Sequence, residues 1–327
     1  MEQSKENKSV LKCSSCGTKF RVPHDRGDLE VTCPNCNGVE EWSEDEIKFI
    51  GKKSISSDAI RKLIEKRAKK IKGYVPRVGV FGVTGVGKSS LCNAIFGSDV
   101  AKISDVAACT RSPQEIQLKS SGSEPGIVLI DVPGVGETTE RDEEYFQLYK
   151  SLAPTLDLVI WVIKADDRAY AVSQKAYLEI LKPNLKKCPV VFVVNQVDKL
   201  PPLRDWDEVH ERPGQEKEAN VQRKIGDVAK AFDVSTDIII PVSVEEKYNL
   251  TGLVSLIVDI LPNEKKYSFA REAKEEVKTE GINAKAEKGV WEAIKEWCGD
   301  LWEENKDLIV SAAATFATKF IKGLFKK

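Results

Sequence analysis

Between residues 73 and 262, short apolar runs alternate with amphipathic stretches of helical spacing. This is the rhythm of an α/β domain, a mostly parallel sheet flanked by helices. Strands covered on both faces read as unbroken apolar runs. Such runs predict buried strands at Arg77–Gly82, Gly126–Asp131, Leu156–Ile163, Pro189–Asn195 and Asp237–Val242. Gln114–Lys119 alternates apolar with polar residues, as an edge strand does. Leu261-Pro262-Asn263 closes the pattern.

The flanking segments follow other periods. Residues 1–43 are too short a segment to bury a core of their own. Residues 44–72 pass from acidic (Glu44, Asp45, Glu46) to basic, and Ile60, Leu63, Ile64, Ala68 and Ile71 predict a helix with Ser57 as its N-cap. Residues 263–327 read as helical. Val290, Trp291, Ile294, Trp297, Cys298, Leu301 and Trp302 form a stripe whose aromatics suit a packing face. In a helix over 308–327, Ser311, Thr315, Thr318, Lys319, Lys322 and Lys326 share one narrow face. Leu308, Ile309, Ala313, Phe316, Phe320, Leu324 and Phe325 cover most of the rest. That amphipathic pattern suits the plane of a membrane interface or a groove of the protein itself.

Composition narrows the class. Apolar residues make up 41 % and charged residues 31 %, with a formal net charge of −1. The whole chain therefore has no nucleic-acid footprint, and attraction to RNA or an anionic membrane must be local. The basic segment 52–72 is the obvious patch, with nine Lys or Arg against Asp58 and Glu65. It suits RNA, membrane, or a solvated helix packing its apolar stripe. No run reaches the roughly 18 apolar residues of a spanning helix. The opening MEQSKENKSV predicts no signal peptide. Cys92, Cys109, Cys188 and Cys298 are scattered, which fits a reducing compartment. The expected location is the cytoplasm, with peripheral membrane docking as the alternative.

Chemistry is concentrated in a few motifs. Gly82-Val83-Thr84-Gly85-Val86-Gly87-Lys88-Ser89 follows a strand and opens the helix that continues through Ser90. The glycines let successive backbone N–H groups turn inward around phosphate oxygens at a helix N-terminus. Lys88 would reach the β- and γ-phosphates, and Ser89 would ligate Mg²⁺. Asp131-Val132-Pro133-Gly134 ends a buried strand, putting a carboxylate at the sheet's C-terminal edge. Gly134 permits close approach of its N–H to a phosphate. Asn195-Gln196-Val197-Asp198 ends another strand. The Asp198 carboxylate can accept from guanine N1–H and the exocyclic amine, donors that adenine lacks in that arrangement. Pro241-Val242-Ser243-Val244 would close over the base.

The order and spacing of these elements over about residues 74–262 resemble the Era- and TrmE-related P-loop GTPases, often called ribosome-binding-type GTPases. The resemblance implies GTP/GDP and Mg²⁺ as cofactors and GTP hydrolysis driving a switch, and Val135 makes the expected intrinsic rate slow. Gly82, Gly85, Val86, Gly87, Lys88, Ser89 and Ser90 would hold the phosphates, and Asn195, Asp198, Ser243 and Val244 the base. Thr110, in DVAACTRSP, matches the switch threonine that ligates Mg²⁺ and senses the γ-phosphate, beside Asp131 and Gly134 of the second switch. Three residues depart from the family pattern. Gln196 replaces the usual lysine of the base motif. Val135 stands where many small GTPases carry a water-orienting glutamine. Gly85 stands where potassium-activated relatives carry asparagine, so potassium dependence is not carried over. The resemblance also implies ribosome or RNA partners; the amphipathic tail suggests a membrane surface, and nucleotide-dependent self-association is a further route to activation.

Cys13-x₂-Cys16 and Cys33-x₂-Cys36, sixteen residues apart, can present four thiolates to one tetrahedral Zn²⁺ and resemble a zinc ribbon. Four sulfurs leave no open position, so the expected metal is structural. His24 lies between the pairs and reads as a solvated loop histidine.

Overall fold

The computed structural model describes residues 8–13, 17–23, 27–51, 56–83, 85–97, 114–118, 126–132, 139–299, 301–307 and 309–310. They divide into two compact units, one within Gly73–Gly289 and one drawn from both ends of the chain, within Met1–Lys72 and Val290–Lys327.

The terminal unit begins with two small hairpins. Strand β1 (Lys8–Lys12) pairs antiparallel with β2 (Lys19–Pro23), and β3 (Leu29–Thr32) with β4 (Val39–Trp42). Leu11, Val22, Trp42 and Ile47 form their small buried cluster. Helix α1 (Glu44–Ile50) starts at a capping box: Ser43 Oγ accepts from the Glu46 N–H, while the Glu46 carboxylate accepts from the Ser43 N–H at 3.0 Å. Helix α2 (Ser57–Lys72) buries Ile60, Leu63, Ile64, Ala68 and Ile71, the stripe its periodicity predicts. Its cap lies one residue earlier than the spacing suggested, because Ser56 Oγ accepts from the Ala59 N–H at 3.2 Å. Trp297 stacks on Phe49 at 5.6 Å, and the Arg67 guanidinium lies 5.9 Å from the Trp297 ring. The tryptophan stripe is thus a packing face in this unit.

The other unit is an α/β layer structure. A six-stranded sheet runs β12 (Ile239–Pro241), β9 (Val190–Asn195), β8 (Leu158–Lys164), β5 (Arg77–Phe81), β7 (Ile127–Asp131), β6 (Gln114–Leu118). Every pairing is parallel except that of β6, which lies antiparallel on the edge. The six predicted strands are the six observed, shifted by a residue or two at their ends. Helices α3 (Lys88–Phe96), α4 (Thr139–Leu152), α5 (Ala171–Ala176), α6 (Gln215–Phe232) and α7 (Leu250–Ile260) connect and cover them. A two-residue ribbon, β10 (Trp206–Asp207) with β11 (Arg212–Pro213), precedes α6.

Alternation along the central strands feeds two cores. Leu158, Ile160 and Val162 join a largely aliphatic layer with α3 and α7. Val159, Trp161 and Ile163 join the opposite layer, where Trp161 meets Phe81, Tyr177, Phe192 and Phe232. The aliphatic layer also takes in Phe269 and Ala270 of α8 (Asn263–Glu272), then Ala273, Val277, and Ile282 and Ala286 of α9 (Glu280–Cys298). The Leu261-Pro262-Asn263 boundary therefore falls inside this unit. The chain continues because α7 leaves apolar surface that α8 covers.

Parallel strands put their C-terminal ends along one edge of the sheet. That edge carries Phe81, Asp131, Lys164, Asn195 and Pro241. It is where ligands of open α/β sheets bind.

Candidate nucleotide site and cysteine cluster

Strand β5 ends at Phe81 and α3 begins at Lys88, leaving a tight loop between them. Gly82, Gly85 and Gly87 have φ of 143°, 83° and 88°, so the loop turns through conformations that side chains rarely adopt. At Gly87 space is the second constraint, since a Cβ would lie 2.6 Å from Asn195 Nδ2. The Lys88 ammonium donates to the carbonyls of Gly82 and Val83 at 3.0 and 3.2 Å. Val86 is buried, Ser89 half-buried and Ser90 exposed. All three lie on the loop or the first turn of the helix behind it, as anion recognition at a helix N-terminus requires.

Asp131 is the last residue of β7 and pairs in register with Val80, next to the start of the loop. Asn195 is the last residue of β9 and pairs with Lys164. Its Nδ2 donates to the Val86 carbonyl at 2.9 Å, joining the Asn195–Asp198 motif to the glycine-rich loop. Asn195 Oδ1 is buried without a hydrogen-bond partner among the described residues. An orphaned buried acceptor costs about 1–3 kcal/mol and suits a site built to receive a polar ligand.

Gln196 takes left-handed backbone (φ 63°), and Asp198 follows on a single 3₁₀ turn. Ser243 is fully buried and donates from Oγ to Asp198 Oδ1 at 2.6 Å. Val244 is half-buried against the aliphatic core. The predicted base-side residues Asn195, Asp198 and Ser243 are thereby linked to each other or to the loop. Thr110, Gly134 and Val135 lie outside the described residues.

Spacing did not single out Lys217, on the first turn of α6. It is 1 % exposed, and its ammonium donates to the Asp198 carbonyl. Burial holds its pKa below the usual lysine range, while Asp198, Asp205 and Glu246 pull it back up. It lies nineteen residues from Asp198, and no local pattern marks such a contact.

Among the described cysteines, the Sγ atoms of Cys13, Cys33 and Cys36 lie within 4.8 Å of one another. Cys13 and Cys36 are 3.6 Å apart. Thiolates about 2.3 Å from a tetrahedral zinc sit roughly 3.8 Å from each other. The two turns also share one backbone pattern. Gly17 N–H donates to the Cys13 carbonyl and Asn37 N–H to the Cys33 carbonyl, at 2.9 and 3.0 Å. Both turning residues have positive φ, 73° and 56°. Cys13 N–H and Cys33 N–H return bonds to Thr18 and Gly38. The donor set and its spacing fit zinc. Cys16 and His24 lie outside the described residues.

A strand, glycine-rich loop and helix, joined through Asn195 to the turn that carries Asp198, resembles the frame of a P-loop GTPase. Residues 77–196 match the family model described as 50S ribosome-binding GTPase. That stretch is a little over a third of the chain. Over 191 residues the chain is 40 % identical to the Escherichia coli (strain K12) uncharacterised protein YkfA and 38 % to YfjP. Each match covers 58 % of this chain and 64 % of that relative. GTPase Era of Aquifex aeolicus (strain VF5) is 28 % identical over 193 residues, covering 58 % of this chain and 57 % of Era. The chain thus spans less than two thirds of the length of these relatives. A crystal structure of Aquifex aeolicus Era bound to GDP and AlF₄⁻ superposes with a TM-score of 0.40 at 24 % identity, covering 57 % of each chain.

Among the described residues, no helix is long and apolar enough to cross a membrane.

Proposed function

We propose that the chain binds GTP and hydrolyses it to GDP and phosphate as a nucleotide-dependent switch with low intrinsic activity. The observation that carries this reading is the hydrogen bond from Asn195 to Val86, which joins a base-reading loop to a phosphate loop. The phosphate loop N–H groups and Lys88 bind and orient the triphosphate. Asp198, aligned by Ser243, accepts from the guanine edge. Ser89, Thr110 and Asp131 would hold Mg²⁺, which when bound neutralises charge developing on the β- and γ-oxygens. Thr110 and the Gly134 N–H would sense the γ-phosphate. With Val135 at the glutamine position, no side chain is assigned to orient the attacking water. A partner or self-association would then set the rate.

Nucleotide competition decides the reading. GTP and GDP should displace a fluorescent guanine nucleotide, and ATP should not. Asp198→Asn should move the preference toward xanthine nucleotides, because the amide complements the xanthine edge. Equal affinity of the wild type for ATP and GTP would sink the proposal.

A second reading concerns the N-terminal hairpins, where the three sulfur positions favour one structural Zn²⁺ held by Cys13, Cys16, Cys33 and Cys36. Zinc there supplies folding energy that a segment with so few apolar residues lacks. The description of the matching family favours a ribosomal or RNA partner. Flotation with anionic liposomes, set against salt-sensitive ribosome sedimentation, tests that choice against membrane docking through the tail.

A further inference from the structure

Guanine recognition in the proposed site places Asp198 on a short turn whose neighbouring position holds Gln196 where a lysine is usual. Lys199, on the turn itself, donates outward to Gln196 Oε1 at 3.2 Å in an exposed contact, and the buried cation beside the turn comes from elsewhere in the chain. Lys217 projects from the first turn of α6, is 1 % exposed, and donates to the backbone carbonyl of Asp198. Its ammonium also lies 5.6 Å from the centroid of the Trp206 ring, so one face of the charge meets a π cloud.

The lysine is itself held in place. Asp205 Oδ2 accepts from the Lys217 N–H at 2.7 Å, capping the start of α6, and the Asp205 carbonyl accepts from the Gly214 N–H at 3.0 Å. A Cβ at residue 214 would sit 1.9 Å from Asp205 Oδ1, so only glycine admits this carboxylate. Trp206 packs edge-on against Tyr248 at 5.7 Å, and the Tyr248 carbonyl accepts from the Ser243 N–H at 3.2 Å. Ser243 in turn donates to Asp198. The path closes on itself: Asp198, Lys217, Trp206, Tyr248, Ser243, Asp198.

We propose that Lys217 is a positioning residue for base specificity, holding the Asp198 backbone so that the carboxylate meets the guanine edge. A buried ammonium on a carbonyl is a charge-assisted bond. Its counter-charges are Asp198, Asp205 and Glu246. Lys217 bonds to the backbone of the Asp198 turn, so its removal acts on discrimination more than on phosphate binding. The segment Asp205–Gly214, inserted between the base motif and α6, is the support that makes this geometry possible.

The inference rests on the guanine-nucleotide reading, and ITP separates the two. Inosine keeps N1–H but lacks the exocyclic amine, so the GTP:ITP affinity ratio reports how well Asp198 is aimed. If wild-type protein binds GTP and ITP equally, the guanine reading itself fails. If the wild type discriminates, Lys217→Met should reduce the ratio by about tenfold, with GDP and IDP behaving alike. Lys217→Arg should restore most of it. In an Asp198→Ala background the Lys217→Met change should leave the ratio unmoved, because the two act as one unit. Thermal unfolding is recorded in parallel, and Lys217→Gln replaces Lys217→Met should the latter fail to fold. A folded Lys217 variant with wild-type discrimination, or an equal loss in the Asp198→Ala background, overturns the proposal.

Discussion

The Asn195 side-chain amide donates to the Val86 carbonyl at 2.9 Å, joining residues 109 apart in sequence. Because Asn195 ends β9 and Val86 lies in the glycine-rich loop, one bond couples the two halves of the proposed site. Asn195→Ala should weaken GTP, GDP and ITP binding together, where a base-contact variant would weaken guanine nucleotides selectively. Loss of the buried bond should also lower stability by about 1–2 kcal/mol. Calorimetric titration with the three nucleotides and urea unfolding read both.

Ser243→Ala removes the donor at 2.6 Å from Asp198 Oδ1. The carboxylate then loses the Ser243 bond that orients it. GTP affinity should fall by about tenfold, the equivalent of a charge-assisted bond worth ~1.5 kcal/mol. Lys88→Ala should instead abolish binding of every nucleotide and all turnover. Competition binding distinguishes the two patterns.

Unaided single-turnover hydrolysis should fall near 10⁻⁴–10⁻² s⁻¹, roughly the range of switch GTPases without an activator. Rate is measured across protein concentration, with and without ribosomes or liposomes. A dilute monomer turning over several times per second, indifferent to all of these, would show a complete catalytic apparatus in one chain.

Metal analysis should give one zinc per chain. Cys33→Ser or a strong chelator should remove it and unfold the N-terminal hairpins, read by protease sensitivity of residues 8–42, while GTP binding persists. Metal-free protein with protected hairpins would refute the site.

Burial pushes the thiols of Cys188 and Cys298 up to about 12. The folded state therefore holds these protons more tightly than the unfolded chain, whose thiols titrate near about 8.5. The stabilisation is fully present below pH ~8.5 and is lost as pH rises from there toward 12, by up to about 1.4 kcal/mol per pH unit for each thiol. Urea titrations at pH 7.5, 9 and 10 should show the decline. Cys188→Ala should flatten the slope of the unit that contains it. Neither thiol should react with iodoacetamide in folded protein at pH 8.

Much of the fold and of the candidate site's framework was legible in the sequence, and the reasons are local. Unbroken apolar runs marked each strand of the parallel sheet, because such strands are covered on both faces. Gly82, Gly85 and Gly87 marked the phosphate loop, because positive φ favours glycine within a few residues of chain. The spacing of Cys13, Cys33 and Cys36 carried the geometry of their shared turns, since each turn closes within five residues. Tertiary structure alone decided what depends on chain return. It placed β5 between β7 and β8, and set Asn195 against Val86. It extended the second unit past Pro262 through Phe269 and Ile282, where the surface left by α7 needed cover. Asp157 shows the same limit. Its carboxylate accepts from Tyr74, the Arg77 N–H and Lys265, residues spread over 191 positions that meet only once the sheet has formed. Lys217 is the sharpest case. Its position in sequence says helix surface, yet a carbonyl and an indole from the preceding loop bury it. The sequence by itself determined periods and turns, whose physics acts over a handful of residues; the tertiary structure decided which distant charges would be buried together.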